Sequence, residues 1–218
     1  MPGKFHHEQL FRGSEQMAKV VALRVALCGA GAIGSNLADN LARQGLTKLR
    51  AIDHDRVEDH NVSTQLYGEN DVGVWKVEAL RNHLFRATGV EVDAVRKELT
   101  AQNAKQLLKD CDLIIDALDN RAARQVVQDH ARATATPCLH VGLHADYCEV
   151  IWDEHYRVPT DAARAAGGQD VCDYPMARNL VMMSVTIASE AVVRFAIAGE
   201  RCNWTGTLGD LAVRTIDV

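Results

Sequence analysis

Several features are missing from this chain, and each absence removes a class of function. Six cysteines stand at positions 28, 111, 138, 148, 172 and 202, but no two are spaced C-x-x-C. That removes the usual clamp of a structural zinc site. No basic tract appears, and 24 Lys+Arg against 29 Asp+Glu give a net charge of −5, which disfavours a nucleic-acid partner. The opening Met-Pro-Gly-Lys-Phe-His-His has no apolar signal core, so it reads as mature cytoplasmic sequence. The most apolar window, Leu180 to Ala198, is interrupted by Ser184, Thr186, Ser189, Glu190 and Arg194. A membrane span needs about 20 mainly apolar residues, so a buried core helix is expected there and no membrane partner. No internal repeat and no second domain are visible.

What is present is organised around Val25-Ala-Leu-Cys28-Gly29-Ala-Gly31-Ala32-Ile33-Gly34-Ser35. A short apolar run suited to a buried strand breaks into a glycine turn, and helix-permissive sequence follows. Gly29, Gly31 and Gly34 have the G-x-G-x-x-G spacing of a nucleotide loop. Its glycines serve a tight turn, close approach of backbone to phosphate, and close helix–strand packing. The helix start offers unpaired N–H groups and the positive dipole end to an anion.

Strand-like and helix-like segments alternate through the rest. Leu49–Asp53 reads as a second strand ending on an acid, Val90–Val95 as a half-exposed strand, and Leu113–Leu118 as a strand covered on both faces. Cys138–Gly142 and Tyr147–Trp152 are two more. Helical periodicity marks Trp75–Phe85, Ala104–Leu108, Arg121–Ala133 and Met176–Ile197. Residues 1–23 form a helical lead-in, 153–171 a long polar loop, and Gly206 and Gly209 punctuate a small C-terminal strand pair. The expected fold is α/β: a Rossmann-like, doubly wound, mostly parallel sheet with helices on both faces. At 218 residues, a chain that buries roughly 70% of its unfolded surface is expected to be one domain, 1–218.

Asp53 lies 24 positions after Gly29, where a carboxylate reaches nucleotide ribose hydroxyls. A nicotinamide-dependent oxidoreductase and an ATP enzyme read alike to this point. The following stretch adds Asn61, Gln65 and Lys76, an amide pair and a cation at a helix start. Triphosphate needs such cations, although a surface lysine is the plainer explanation taken alone. Asp119-Asn120 offers either a metal carboxylate or a helix N-cap. His140-x-x-x-His144 does not share a helical face and reads as structural, and Cys28, Cys111, Cys138 and Cys148 read as small buried hydrophobes.

Together, Gly29-Ala-Gly-Ala-Ile-Gly34, Asp53-x-Asp55-x-Val57-x-x-x-Asn61-x-x-x-Gln65, Val72-Gly73-x-x-Lys76 and Asp116-x-x-Asp119-Asn120 resemble the ThiF/MoeB/HesA superfamily of ubiquitin-like-protein activating enzymes. The resemblance covers roughly residues 8–200. It implies ATP and Mg²⁺ as cofactors and adenylation of the C-terminal glycine carboxylate of a small ubiquitin-like protein. A homodimer and, downstream, a conjugating enzyme are the other implied partners. The implied nucleotide site comprises Gly29, Gly31, Ala32, Ile33, Gly34, Asp53, Asp55, Asn61, Gln65, Lys76, Leu118 and Asn120, with Asp119 on the metal. Lys76, Arg12 and Cys172 are the implied catalytic residues, Cys172 as the acceptor of a thioester or acyl-disulfide. Thr64 departs from the family pattern, which often has arginine before the glutamine, and His7 stands where a second family arginine is approximately expected. A non-catalytic nucleotide-binding scaffold is the remaining alternative to adenylation and to hydride transfer.

Overall fold

A strand covered on both faces reads as a continuous apolar run whose side chains alternate between two cores. Val25–Cys28 and Leu113–Ile115 do this: Val25, Leu27, Leu113 and Ile115 enter one buried cluster, while Ala26, Cys28 and Ile114 enter another. The computed structural model describes residues 3–158 and 176–217. In order, its elements are α1 (His6–Arg12), α2 (Ser14–Ala22), β1 (Arg24–Cys28), α3 (Ala32–Arg43), β2 (Lys48–Ile52), α4 (Lys76–Thr88), β3 (Asp93–Val95), α5 (Ala104–Leu107), β4 (Leu113–Asp116) and α6 (Arg121–Thr134). Then come β5 (Cys138–His144), β6 (Tyr147–Trp152), α7 (Arg178–Ala198), β7 (Asn203–Thr207) and β8 (Ala212–Ile216).

The strands form one sheet in the order β3-β2-β1-β4-β5-β6-β7-β8. The first five run parallel, and β5 to β8 continue antiparallel. The order reverses between β1 and β4, whose Cys28 and Asp116 are in register. Open α/β sheets bind ligands in the crevice at such a switch point, beyond the carboxyl ends of the strands. Residues of α3, α4 and α7 fill the larger cluster, and residues of α5 and α6 fill the smaller one on the opposite face.

The expected elements are present, with shifted ends. Only Asp93–Val95 of the 90–95 stretch pairs, and Val90 and Val92 lie buried in the larger core cluster. His144 is the last residue of β5, and the turn to β6 is made by Ala145 (φ 54°) and Asp146. The C-terminal strand pair extends the main sheet through β6–β7 pairing. The long helix begins at Arg178 and ends at Ala198. It is long and apolar enough to cross a membrane by length and composition alone, yet it packs on α2, α3, β5, β6 and β7. Its interrupting residues have local partners: the Ser184 hydroxyl donates to the Val181 carbonyl, Ser189 accepts from Asn40, and Glu190 pairs with Arg12 and Arg194. Of the polar loop, residues 159–171 lie outside the described residues, as does Cys172.

Candidate functional site

Three backbone hydrogen bonds tie the carboxyl ends of β1, β2, β3 and β4 into one floor. Gly29 N–H donates to the Ile52 carbonyl (2.9 Å), Asp53 N–H to Val95 (3.1 Å), and Ala117 N–H to Cys28 (2.9 Å). The three glycines above this floor differ in what they allow. Gly29 has φ +92°, and a Cβ there would stand 2.8 Å from the Ala117 carbonyl oxygen. A Cβ on Gly34 would be driven into the carbonyl of Gly29, so helix and strand meet too closely for any side chain. Gly31 is the reverse case, with no atom within 4 Å of an added Cβ. Its open side faces the start of α3, which has no side-chain cap and no acid in its first turn. The first amides of a helix lack intrahelical acceptors, so Gly31, Ala32 and Ile33 present donors and the positive dipole end to whatever approaches.

Asp53 anchors this turn. One carboxylate oxygen accepts from Ala30 N–H (2.7 Å) and the other from Asp55 N–H (2.8 Å). Burial pushes its carboxyl pKa up, opposed by those two amides. Each oxygen keeps further accepting capacity. Asp55 in turn holds the start of α4: its carbonyl accepts Lys76 N–H (2.9 Å), and its carboxylate meets Lys76 Nζ at 3.0 Å. The Lys76 side chain is 11% exposed while that of Asp55 is 51% exposed, so the ammonium is held at the wall of the site rather than free in solvent. Asp53, His54 and Asp55 bring three potential metal-ligating atoms together. Their oxygens already face two amides and an ammonium, which leaves that cluster poorly suited to a cation.

The loop between β2 and α4 folds over the start of α3. The Tyr67 hydroxyl donates to the Ala30 carbonyl (2.7 Å), and Leu66 N–H donates to Ser35 Oγ (3.1 Å). Asn36 Nδ2 donates to both Ala32 (2.7 Å) and Thr64 (2.9 Å) carbonyls. Asn61 is buried, and its Oδ1 accepts Glu58 N–H (3.0 Å), closing a 3₁₀ turn. Gln65 is bonded to it through the backbone (2.8 Å), and Gln65 Oε1 is buried without a hydrogen-bond partner among the described residues. A buried, unpaired amide oxygen in the loop over this helix start is an acceptor that a donor group of a ligand could satisfy.

Beyond β4, Asp116 is fully buried. Its Oδ1 accepts Leu118 N–H (3.1 Å), which shapes the 117–119 turn, and its Oδ2 faces Arg124 (3.3 Å) and His140 Nδ1 (2.8 Å). Burial alone would raise this carboxyl pKa, but Arg124 and His140 hold it below the ordinary value. His140 also meets Asp153 (3.2 Å) and stacks on Tyr156, which confirms its structural reading. The N-cap of α6 is Asn120, whose side chain accepts Ala123 N–H (2.8 Å). Asp119 is therefore not the capping residue. It is an exposed carboxylate one position before the cap, at the carboxyl end of β4. One carboxylate fits Mg²⁺, which retains waters and takes other oxygens from phosphate.

Arg12 stands apart from these contacts. Its guanidinium is held by Glu8 (2.7 Å) and Glu190 (2.8 Å), tying α1 to α7. Cys28, Cys138 and Cys148 are buried as expected, and burial drives the thiol pKa of the first two well above normal and that of Cys148 up to about 11; Cys111, expected to be buried with them, is only half-buried. Ser35, Asn36 and Tyr67 were not legible as site supports, and Asp116, although part of the motif, had no role assigned to it. The available signals were polar residues in the first turns of an otherwise apolar helix, one aromatic in a polar loop, and an acid inside an apolar strand.

Residues 6–192 match the profile of the ThiF family. The chain belongs to the ThiF family. It is 33% identical over 153 residues to the sulfur carrier protein ThiS adenylyltransferase of Bacillus subtilis (strain 168), covering 67% of this chain and 46% of that protein. It is 30% identical over 145 residues to the sulfur carrier protein adenylyltransferase of Thermus thermophilus, covering 65% of this chain and 54% of the other. This ThiF-family chain thus spans about half the length of these relatives. The crystal structure of E. coli MccB with ATP superposes with a TM-score of 0.83 at 14% identity, covering 100% of this chain and 71% of that one. At that identity the match supports the fold.

Proposed function

We propose that this ThiF-family chain, acting as one adenylation domain over residues 1–218, binds ATP with Mg²⁺ and adenylates the C-terminal glycine of a small ubiquitin-like or sulfur-carrier protein. The observation that carries this reading is the pairing of an open, uncapped helix start at Gly31 with the sheltered ammonium of Lys76. Two relatives named for adenylating sulfur carriers support it. A dinucleotide oxidoreductase would use the glycines and Asp53 but leaves Lys76 and Gln65 without a task.

In this reading the amides of Gly31, Ala32 and Ile33 receive phosphate oxygens, and Asp53 accepts from the ribose hydroxyls with its remaining lone pairs. Gly29 and Gly34 hold the turn, while Asp55 steers Lys76. Leu118 and Asn120 border the nucleotide, and Asn61 keeps the Gln65 loop in place. Gln65 presents its amide to a phosphate oxygen, since N–H₂ donates where a carbonyl cannot. Asp119 would hold Mg²⁺, which offsets charge on the phosphate oxygens. A carboxylate oxygen of the incoming glycine attacks the α-phosphorus, the bond to the bridging oxygen breaks, and pyrophosphate leaves. Positioned donors facing the charge that develops are the main source of catalysis in such transfers.

Cys172 enters as acceptor: its thiolate attacks the acyl carbonyl, AMP departs, and a thioester forms. Arg12 enters as a further cation delivered within a homodimer, released from Glu8 and Glu190. The site of action is the cytoplasm, with a conjugating enzyme as downstream partner. The test is pyrophosphate exchange into ATP in the presence of a sulfur-carrier or ubiquitin-like protein ending in glycine. Exchange that depends on that protein and is lost when its C-terminal glycine is removed is the expected result. Absence of exchange with every such protein, despite ATP binding, would favour a non-catalytic scaffold.

A further inference from the structure

We infer that Arg178 is a phosphate-binding residue of this same site, contacting the terminal phosphates of bound ATP. The inference rests on the ATP reading above and extends it to a residue on a distant element. Arg178 is the exposed first residue of α7, and its Nη1 donates to the Thr64 carbonyl at 3.1 Å. The same carbonyl accepts Asn36 Nδ2, which also bonds Ala32 in the first turn of α3. Three hydrogen bonds, through the Thr64 carbonyl and the Asn36 amide, therefore connect the guanidinium to Ala32 at the start of α3. Thr64 also precedes Gln65, the residue with the unpartnered buried oxygen.

Charge argues in the same direction. A nucleoside triphosphate carries several negative charges, whereas the site as described offers one protein cation, Lys76. Several other arginines are already committed: Arg124 to buried Asp116, Arg96 to Glu78, Arg12 to Glu8 and Glu190, and Arg56 over the Trp75 ring at 3.8 Å. Arg178 rests on a neutral carbonyl, and among the described residues no carboxylate forms an ion pair with it. A guanidinium has five N–H donors in a planar fork suited to phosphate, so one bond to Thr64 leaves donors to spare. No acid in the first turn of α7 counters the charge, and the positive end of the helix dipole adds to it. The arrangement places a cation beside Thr64 without any charge on Thr64 itself.

The test is calorimetric titration of the full chain and of Arg178→Ala and Arg178→Gln with MgATP and with AMP. Glutamine retains an N–H for the Thr64 carbonyl but carries no charge, so it separates a phosphate contact from a neutral tie. The expected result is about a 10-fold or greater loss of MgATP affinity in both variants, with AMP affinity changed less than about twofold. The salt dependence of MgATP binding should flatten as one charge contact is lost. MgATP affinity of Arg178→Gln within twofold of wild type would overturn the inference, as would equal losses for ATP and AMP. A wild-type chain that binds no ATP would bring down the ATP reading itself, a result distinct from either.

Discussion

Replacing Gly31 with alanine separates folding from ligand binding at one atom. The backbone φ there is −78°, outside the left-handed region, and the added methyl would meet nothing within 4 Å. Two small effects on stability oppose each other. Alanine is a poorer N-cap than glycine, by a few tenths to about 1 kcal/mol, and it narrows the unfolded ensemble by about 0.4–1 kcal/mol. The melting temperature should therefore stay within about 4 °C of wild type. Binding should respond differently, because the methyl occupies the space through which phosphate approaches the amides of Gly31, Ala32 and Ile33. Losing one charge-assisted hydrogen bond of about 1.5–3 kcal/mol weakens MgATP about 10- to 100-fold. Gly34→Ala provides the contrast: its methyl collides with the Gly29 backbone, and overpacking of about 3 kcal/mol or more should lower the melting temperature by about 6–12 °C. Thermal unfolding and MgATP calorimetry on both variants give the answer. A Gly31→Ala chain that folds normally and binds MgATP as tightly as wild type would refute the placement of the phosphates.

Lys76→Met should weaken MgATP by about 10-fold or more while leaving stability within about 1 kcal/mol, because the Asp55 partner is half exposed and such pairs contribute little. Unchanged pyrophosphate exchange in that variant would remove Lys76 from the site. Asp116→Asn strips the counter-charge from buried Arg124 and should cost about 3–5 kcal/mol, seen as a fall of about 6–20 °C in melting temperature. The Asp116 pKa is lowered in the folded chain, so its stabilisation is complete above the unfolded value of about 3.9 and is lost as pH falls through the folded value. Wild type should therefore lose stability below about pH 4 more steeply than Asp116→Asn, and parallel acid limbs would contradict this. Cys172→Ala should abolish trapping of a thioester on the chain while retaining pyrophosphate exchange; trapping as efficient as wild type would exclude Cys172 as the acceptor.

Much of the glycine turn's geometry was legible because it is local. Gly29, Gly31 and Gly34 are close in sequence, and each keeps the backbone task its spacing implies: a left-handed turn, an open approach and a tight crossing. The doubly covered strands also announced themselves, since a run such as Leu113–Ile115 has no polar face. The antiparallel half was less visible, because Cys138–Gly142 and Tyr147–Trp152 carry the same apolar signal whichever way their neighbours run. Least legible were long-range polar contacts. Nothing local in Arg178 indicates Thr64, 114 positions away, and nothing in Arg12 announces Glu190. The single boundary between Asp119 and Asn120 likewise required geometry, since either side chain can cap a helix and only Asn120 does.

The proposed adenylation requires a triphosphate lying between the Gly31 turn and Lys76. The most direct measurement is calorimetric titration of the wild-type chain with MgATP and, in a parallel cell, with NAD. Saturable MgATP binding at one site per chain, undisturbed by excess NAD, is the predicted result. Binding of NAD that MgATP cannot displace would contradict it.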